Sequence, residues 1–327
     1  MQPVLNHLLT LVLSASVSAL VAWRVSEYHH ATNGKSEFAA SADSAESGTE
    51  AAASPPTDDE IKENLAAFAL IPDTLPEAER KDAVTDEEIA ETTPVSAVRF
   101  INRADAVLAN MQAVPPELSF GLGRFALLHQ DLEIAHHYLK ISADGGFGAA
   151  YGYLGDPALS RSPSEQWENY DKAESLGFKP ARLWRTRLEE KMVSIIERLT
   201  CDPQDPSFPQ EHLGISNTRL IALNTSEIES VIRDYGFYAT KGAPPYIIFG
   251  LGRAAFLHEM RDTAKEYLNL AELKGSAAAA AYLAYPEINS DLNKRIAFLE
   301  KAAKGDYLPA KRMLLDALEI KKNMPPK

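Results

Sequence analysis

The chain has 327 residues, 45% hydrophobic and 24% charged, with 33 basic against 46 acidic side chains and a formal net charge of −13. That length accommodates one large or two ordinary domains, and the acidic excess argues against a protein that grips nucleic-acid phosphates, which takes a basic face. The single cysteine, Cys201, excludes an intramolecular disulfide framework and an all-cysteine metal site.

Residues 4–23, VLNHLLTLVLSASVSALVAW, carry no formal charge and end at Arg24. About 20 apolar residues span a bilayer core as a helix. Residues 1–24 therefore read as an N-terminal transmembrane anchor, or as a secretory signal segment cut after Ala19. No Lys or Arg precedes the stretch, which favours the anchor. Arg24 and Lys35 follow it, and positive charge alone favours a cytoplasmic C-terminus. Single-span proteins with a long acidic Ala/Ser/Pro spacer commonly export their globular part. On that analogy the chain is expected in the inner (cytoplasmic) membrane, single-pass, with a periplasmic C-terminal domain.

Residues 25–95 are expected to form an acidic, Ala/Ser/Pro-rich disordered linker. Residues 31–95 hold 16 acidic and 4 basic residues, whereas 96–327 hold 29 and 28, so the acidity reads as a property of the tether. Such a composition buries too little apolar surface to offset ordering entropy. A flexible spacer of about 65 residues would span roughly 45 Å. Within it, DDEIKENLAAFAL at 58–70 has an acidic helix start and an apolar end, and reads either as a transient helix or as a short docking helix.

From residue 96 onward, apolar residues recur at helical spacing, which predicts an all-α fold. PPELSFGLGRFALLHQDLEIAHHYL from Pro115 realigns with PPYIIFGLGRAAFLHEMRDTAKEYL from Pro244, an offset of 129 residues that runs on without a gap for about 77 residues. Phe120–Arg124 match Phe249–Arg253, His129 matches His258, Tyr153-Leu154 match Tyr282-Leu283, and Pro180-Ala181 match Pro309-Ala310. Each copy reads as helical hairpins: Gly145-Gly146 closes one helix, Pro157 stops a short one, Ser162-Pro163 opens the next, and a longer helix from Ala181 to Leu199 closes the copy. The blocks are placed at 96–199 and 226–327, joined by a Pro-rich connector at 200–225. Two half-solenoids or one continuous superhelix both fit that layout.

Leu122-Gly123, Ala135 and Leu139, repeated as Leu251-Gly252, Ala264 and Leu268, resemble the tetratricopeptide pattern. DKAESLGFKPARLW (171–184) and EKAAKGDYLPAKRMLLDAL (300–318) resemble the related Sel-one-like repeat. The resemblance covers about 115–200 and 244–320. It implies an α-solenoid of antiparallel helical hairpins and a protein-protein interaction role. It also implies that Arg124 and Arg253, which follow Leu-Gly on the first helix of their hairpins, face a concave groove where each would pair with a partner's carboxylate; an intramolecular ion pair is the competing reading.

No zinc-protease, hydrolase-elbow, phosphate-loop or C-x-x-C motif is present, and no enzyme activity or cofactor is expected. Glu133-x-x-His136 has the spacing of half a di-iron site, but the second copy carries Asp262 and Lys265 there, so a solvated face is expected and no metal. His129 and His258 end matched helices, where they read as helix-terminal caps or as partner contacts. Cys201 reads as an incidental thiol. The expected function is a membrane-tethered scaffold that holds protein partners in a bacterial envelope assembly, with no nucleic-acid partner. The alternatives are a carbohydrate- or peptidoglycan-binding module with exposed aromatics, and an enzyme without a recognisable motif.

Overall fold

The computed structural model describes residues 56–76, 83–209, 212 and 214–324; the anchor expected at 4–23 lies outside them. Among the described residues no helix is long and apolar enough to cross a membrane, and no strand occurs. The α-helices are α1 Asp58–Ala69, α2 Asp86–Ala90, α3 Pro94–Ala109, α4 Pro116–Leu128, α5 Leu132–Asp144, α6 Gly148–Leu154, α7 Pro163–Ser175, α8 Pro180–Thr200, α9 Asn217–Ile221, α10 Thr225–Tyr235, α11 Pro245–Leu257, α12 Arg261–Leu273, α13 Ala277–Leu283, α14 Leu292–Lys304 and α15 Leu308–Asn323. The all-α expectation holds.

Local chemistry accounts for the helix ends. Pro116, Pro163 and Pro245 occupy first-turn positions, where the missing N–H has no helical partner to lose. Gly146 (φ 86°) and Gly275 (φ 95°) take the left-handed conformation just past α5 and α12. In both, the next residue's N–H donates back to a carbonyl in the last turn, Phe147 to Ser142 and Ser276 to Ala271. Inward faces then pair successive helices: α4 on α5, α7 on α8, α11 on α12 and α14 on α15.

Two expectations change. The segment read as linker up to residue 95 carries two helices, Asp58–Ala69 and Asp86–Ala90, the first of them where a short docking helix was one of the readings. Thr57 and Glu60 form a capping box, with the Glu60 N–H donating to Thr57 Oγ1 at 3.3 Å and the Thr57 N–H to Glu60 Oε2 at 2.7 Å. On the helix this starts, Ile61 and Leu65 are fully buried, in a cluster with Ile101, Leu122 and Phe125. Composition misses this because the apolar residues of α1 sit on one face amid acidic neighbours. The acidity consequently belongs mostly to the folded unit: Pro56–Lys327 carries 41 acidic and 31 basic residues, a net of −10.

The second change concerns the joint. α8 closes the first block by packing on α7 and opens the second by packing on α11. The two copies thus share one helix and form a continuous row. The duplication also reaches further back than its identities. At an offset of 131, Ile61 aligns with Met192, Leu65 with Ile196, Thr85 with Ser216, Asp86 with Asn217 and Ile89 with Leu220. α1 therefore covers α4 as the second half of α8 covers α11.

Candidate functional site

The two arginines expected to face a groove are the largest fully buried side chains of the folded unit, 1% exposed at Arg124 and 0% at Arg253. The small residues of α4 and α11 create their places. A Cβ on Gly121 would run into the carbonyl of Leu65, and one on Gly250 would lie 2.7 Å from Thr200 Oγ1, so the covering helix lies against the bare backbone in both copies.

Around Arg124, Nε donates to Asp86 Oδ1 at 2.7 Å, Nη1 to the carbonyls of Phe68 (2.8 Å) and Leu70 (3.2 Å), and Nη2 to the carbonyl of Val84 at 2.9 Å. Tyr153 donates to both Asp86 oxygens at 3.0 and 3.1 Å, and its ring centroid lies 5.9 Å from the guanidinium carbon. Around Arg253, Nε donates to Asn217 Oδ1 at 2.7 Å, Nη1 to the carbonyl of Thr200 at 2.8 Å and Nη2 to that of Ile215 at 2.7 Å. Tyr282 donates to Asn217 at 3.0 Å, and Tyr307 to Asp202 Oδ2 at 3.2 Å. Asp202 is the counter-ion, 3.9 Å from Nε.

The layout is the same twice. A guanidinium, whose five donors form a fixed fork, gathers carbonyls from the end of the covering helix and from the loop before the next short helix, and a tyrosine completes the cluster. A buried charge is tolerated when it is paired and hydrogen-bonded in this way. Burial pushes the Tyr153 and Tyr282 phenols up, so both remain donors.

The histidines take part in the same fastening. His129 Nε2 lies 3.1 Å from the carbonyl of Ile89, and His258 Nε2 3.0 Å from that of Leu220. A carbonyl only accepts, which places the proton on Nε2 in both rings. Thr225 Oγ1 lies 3.1 Å from His258 Nδ1, which is left as an acceptor. The groove-facing role expected of Arg124 and Arg253, and the partner-contact reading of His129 and His258, are therefore corrected: all four bind backbone of their own chain. The competing reading of an intramolecular ion pair describes both arginines.

The remaining candidates separate. Glu133 and His136 are exposed on α5, and Asp262 and Lys265 on α12. Among the described residues no group of three or more His, Cys, Asp or Glu is arranged to hold a metal ion. Cys201 is buried and its thiol is pushed up by burial, which keeps it protonated and a poor nucleophile. The residues that sequence reasoning missed are Asp86, Asn217, Asp202 and the two tyrosines that complete the arginine clusters. The Tyr153/Tyr282 match was visible; the acidic partners carry no shared identity to find them by.

No family model matches the chain, and no curated protein matches it either.

Proposed function

We propose that the chain is a membrane-tethered scaffold of the Sel-one-like and tetratricopeptide-like repeat class, holding protein partners in a bacterial envelope assembly. The observation that carries the reading is the continuous row of helices from α1 to α15, in which α8 belongs to both blocks. Stacked helical hairpins of this kind present surfaces suited to protein partners. The partner surface must lie away from the arginine clusters, whose donors are committed. Residues 4–23 supply the tether in this proposal, with the row on the periplasmic side of the inner membrane. The carbohydrate-binding alternative loses its platform among the described residues, where every Tyr and Trp is buried or half-buried.

The test is in-cell crosslinking with the full-length protein, compared with a version lacking residues 1–30, together with a reporter fused after Lys327. The expected result is one set of crosslinked envelope proteins that depends on residues 1–30, and reporter activity on the periplasmic side. Recovery of no partner by either form overturns the scaffold reading; reporter activity confined to the cytoplasm overturns the localisation.

A further inference from the structure

The duplication supplies an internal control for the two ends of the row, because each outer element has a counterpart inside it. α15 aligns with the first part of α8 at the 129-residue offset. Met192 of α8 is fully buried near the joint, whereas the aligned position on α15 is the exposed Lys321. Other exposed positions change in the opposite sense. Thr186 and Lys191 of α8 are exposed and polar; their counterparts Leu315 and Ile320 are apolar and 68% and 50% exposed. Leu308 and Leu318 lie on the side of α15 that carries Leu315, opposite the buried Ala310 and Ala317, whereas Ile320 is turned about 140° away from Leu315 and Met324 follows the helix.

The opposite end shows the same change. Ser226 and Glu229 of α10 are exposed; their counterparts on α3, Val95 and Val98, are 63% and 57% exposed. With Pro94 and Arg99 the two valines line a shallow open depression. Leu183, Ile221 and Leu273 are also exposed, but singly on three separate elements, as isolated surface apolar residues ordinarily are.

The charges of the two ends are complementary. Residues 56–76 and 83–112 together carry 10 acidic and 3 basic side chains, while residues 292–324 carry 8 basic and 4 acidic ones. Lys311, Arg312 and Lys322 flank the α15 leucines; Glu87 on α2 and Glu91 at its end precede α3 in the chain and lie outside the depression, whose own charged lining residue is Arg99.

We propose that these two ends bind each other in successive copies of this chain: α15 of one protomer seats its leucine face on the Val95/Val98 depression of the next, with the basic end against the acidic end. A second copy accounts for both apolar faces and both charge excesses at once. An anionic lipid surface would match α15 alone and leave the acidic end and the valines uncovered. The contact is heterologous, so it propagates as an open chain unless the rotation closes a ring. This inference is independent of who the scaffold's partners are.

The test is sedimentation velocity of the full-length protein in neutral detergent. The wild-type mass is expected to rise with concentration up to about 100 μM, the range of weak contacts, and to fall back towards the monomer between about 50 and about 500 mM salt as the end charges are screened. The tail variant L315E/L318E and the head variant V95E/V98E should each be monomeric. Mixed one to one, they should form a dimer and go no further, since each retains one intact face. K311E/K322E should weaken association and E87K/E91K should restore it when mixed in. Every substituted position is exposed, so circular dichroism should be unchanged. A wild-type protein that stays monomeric at low salt overturns the proposal, as does a mixture of the head and tail variants that stays dissociated. So does salt-sensitive binding of monomers to phosphatidylglycerol vesicles that L315E/L318E abolishes, which would assign the face to lipid.

Discussion

Arg124 and Arg253 occupy matched positions on matched helices, and each draws a covering helix and a loop onto the row, yet the carboxylate that balances them comes from different places. In the first cluster it is Asp86, at the start of α2, 2.7 Å from the guanidinium and with a side chain 42% exposed. In the second the matching position is the neutral Asn217, and the charge sits on Asp202, next to the end of α8 and only 6% exposed. The backbone carbonyls are retained in kind, from the helix end and from the loop, while the counter-ion has moved across the cluster. What the fold constrains is the guanidinium and its carbonyl acceptors; the position of the negative charge is free provided it lies within reach.

The largest expected effect breaks the comparison at its centre. Arg253→Ala leaves the carbonyls of Thr200 and Ile215 unpaired and Asp202 buried without its cation. Losing one partner of a buried pair costs about 3–5 kcal/mol. Arg124→Ala should cost less, because Asp86 is open enough to take up water. Urea denaturation of both variants checks the order; equal losses would show that exposure of the counter-ion is immaterial.

A second contrast concerns how the covering helices lie. Gly121→Ala drives a methyl group into the backbone of Leu65, which can yield only if α1 moves as a whole. Gly250→Ala meets Thr200 Oγ1 and Cys201 Sγ, at 2.7 and 2.8 Å, side-chain ends that can shift without moving a helix, at the cost of the Thr200 bond to the Ile196 carbonyl. Overpacking of this type costs about 1–3 kcal/mol, and Gly121→Ala should fall at the upper end. The same variant should expose the α1 segment to protease. Unchanged protection there would mean that residues 57–69 are not fastened to α4.

The third prediction moves the charge back. Asp202→Asn removes the counter-ion of Arg253 and leaves one amide oxygen for two donors, the Gln204 N–H and the Tyr307 hydroxyl, and should lose about 2 kcal/mol, in the range for hydrogen bonds to charged groups. Adding Asn217→Asp restores a carboxylate at the Asp86-equivalent position, beside Nε of Arg253 and the Tyr282 hydroxyl. The double variant should recover about half of the loss in thermal unfolding. Additive destabilisation would mean that the second cluster depends on Asp202 itself.

The ease of reading this chain varied with how the information is encoded. The helices from Pro116 to Thr200 and from Pro245 onward were legible, because Gly, Pro and Ser at helix ends and periodic apolar faces are local signals and because the copy repeats them. Between Thr57 and Pro94 only the stretch 58–70 was legible, as one of two readings, a short docking helix. The match of the whole segment to the second half of α8 and to α9 survives as residue class only, Ile61 with Met192 and Thr85 with Ser216, and its acidic surface outweighs a narrow apolar stripe in any average. The capping boxes of Thr57 with Glu60 and Thr85 with Glu88 were the local signals available. For the arginines, position on the helix was legible and orientation was not. Gly121 and Gly250 did not by themselves mark the places where another helix would cover the guanidinium.

The smallest expected effect lies in the connector, which has the more deeply buried acids. Asp205 is 3% exposed and accepts from the Ser207 N–H at 3.0 Å and the Ser207 hydroxyl at 2.8 Å through Oδ1, while Oδ2 is buried without a partner. Burial raises its carboxyl above the usual 3.8, against the two Ser207 bonds, which lower it. A raised folded-state value means that the folded protein favours the protonated acid. The contribution of this group to stability is therefore full below the unfolded value and declines as pH rises through the folded one. Asp205→Asn keeps the Oδ1 acceptor and removes the charge, so at pH 7 it should melt at or slightly above the wild type, by less than about 1 kcal/mol, with the difference shrinking as pH is lowered towards 4. Melting curves at pH 7, 5.5 and 4 decide it. A variant that loses stability at pH 7 would show that the Asp205 charge is satisfied by its surroundings, and the asymmetry between an open first counter-ion and a closed second one would then extend to a third acid.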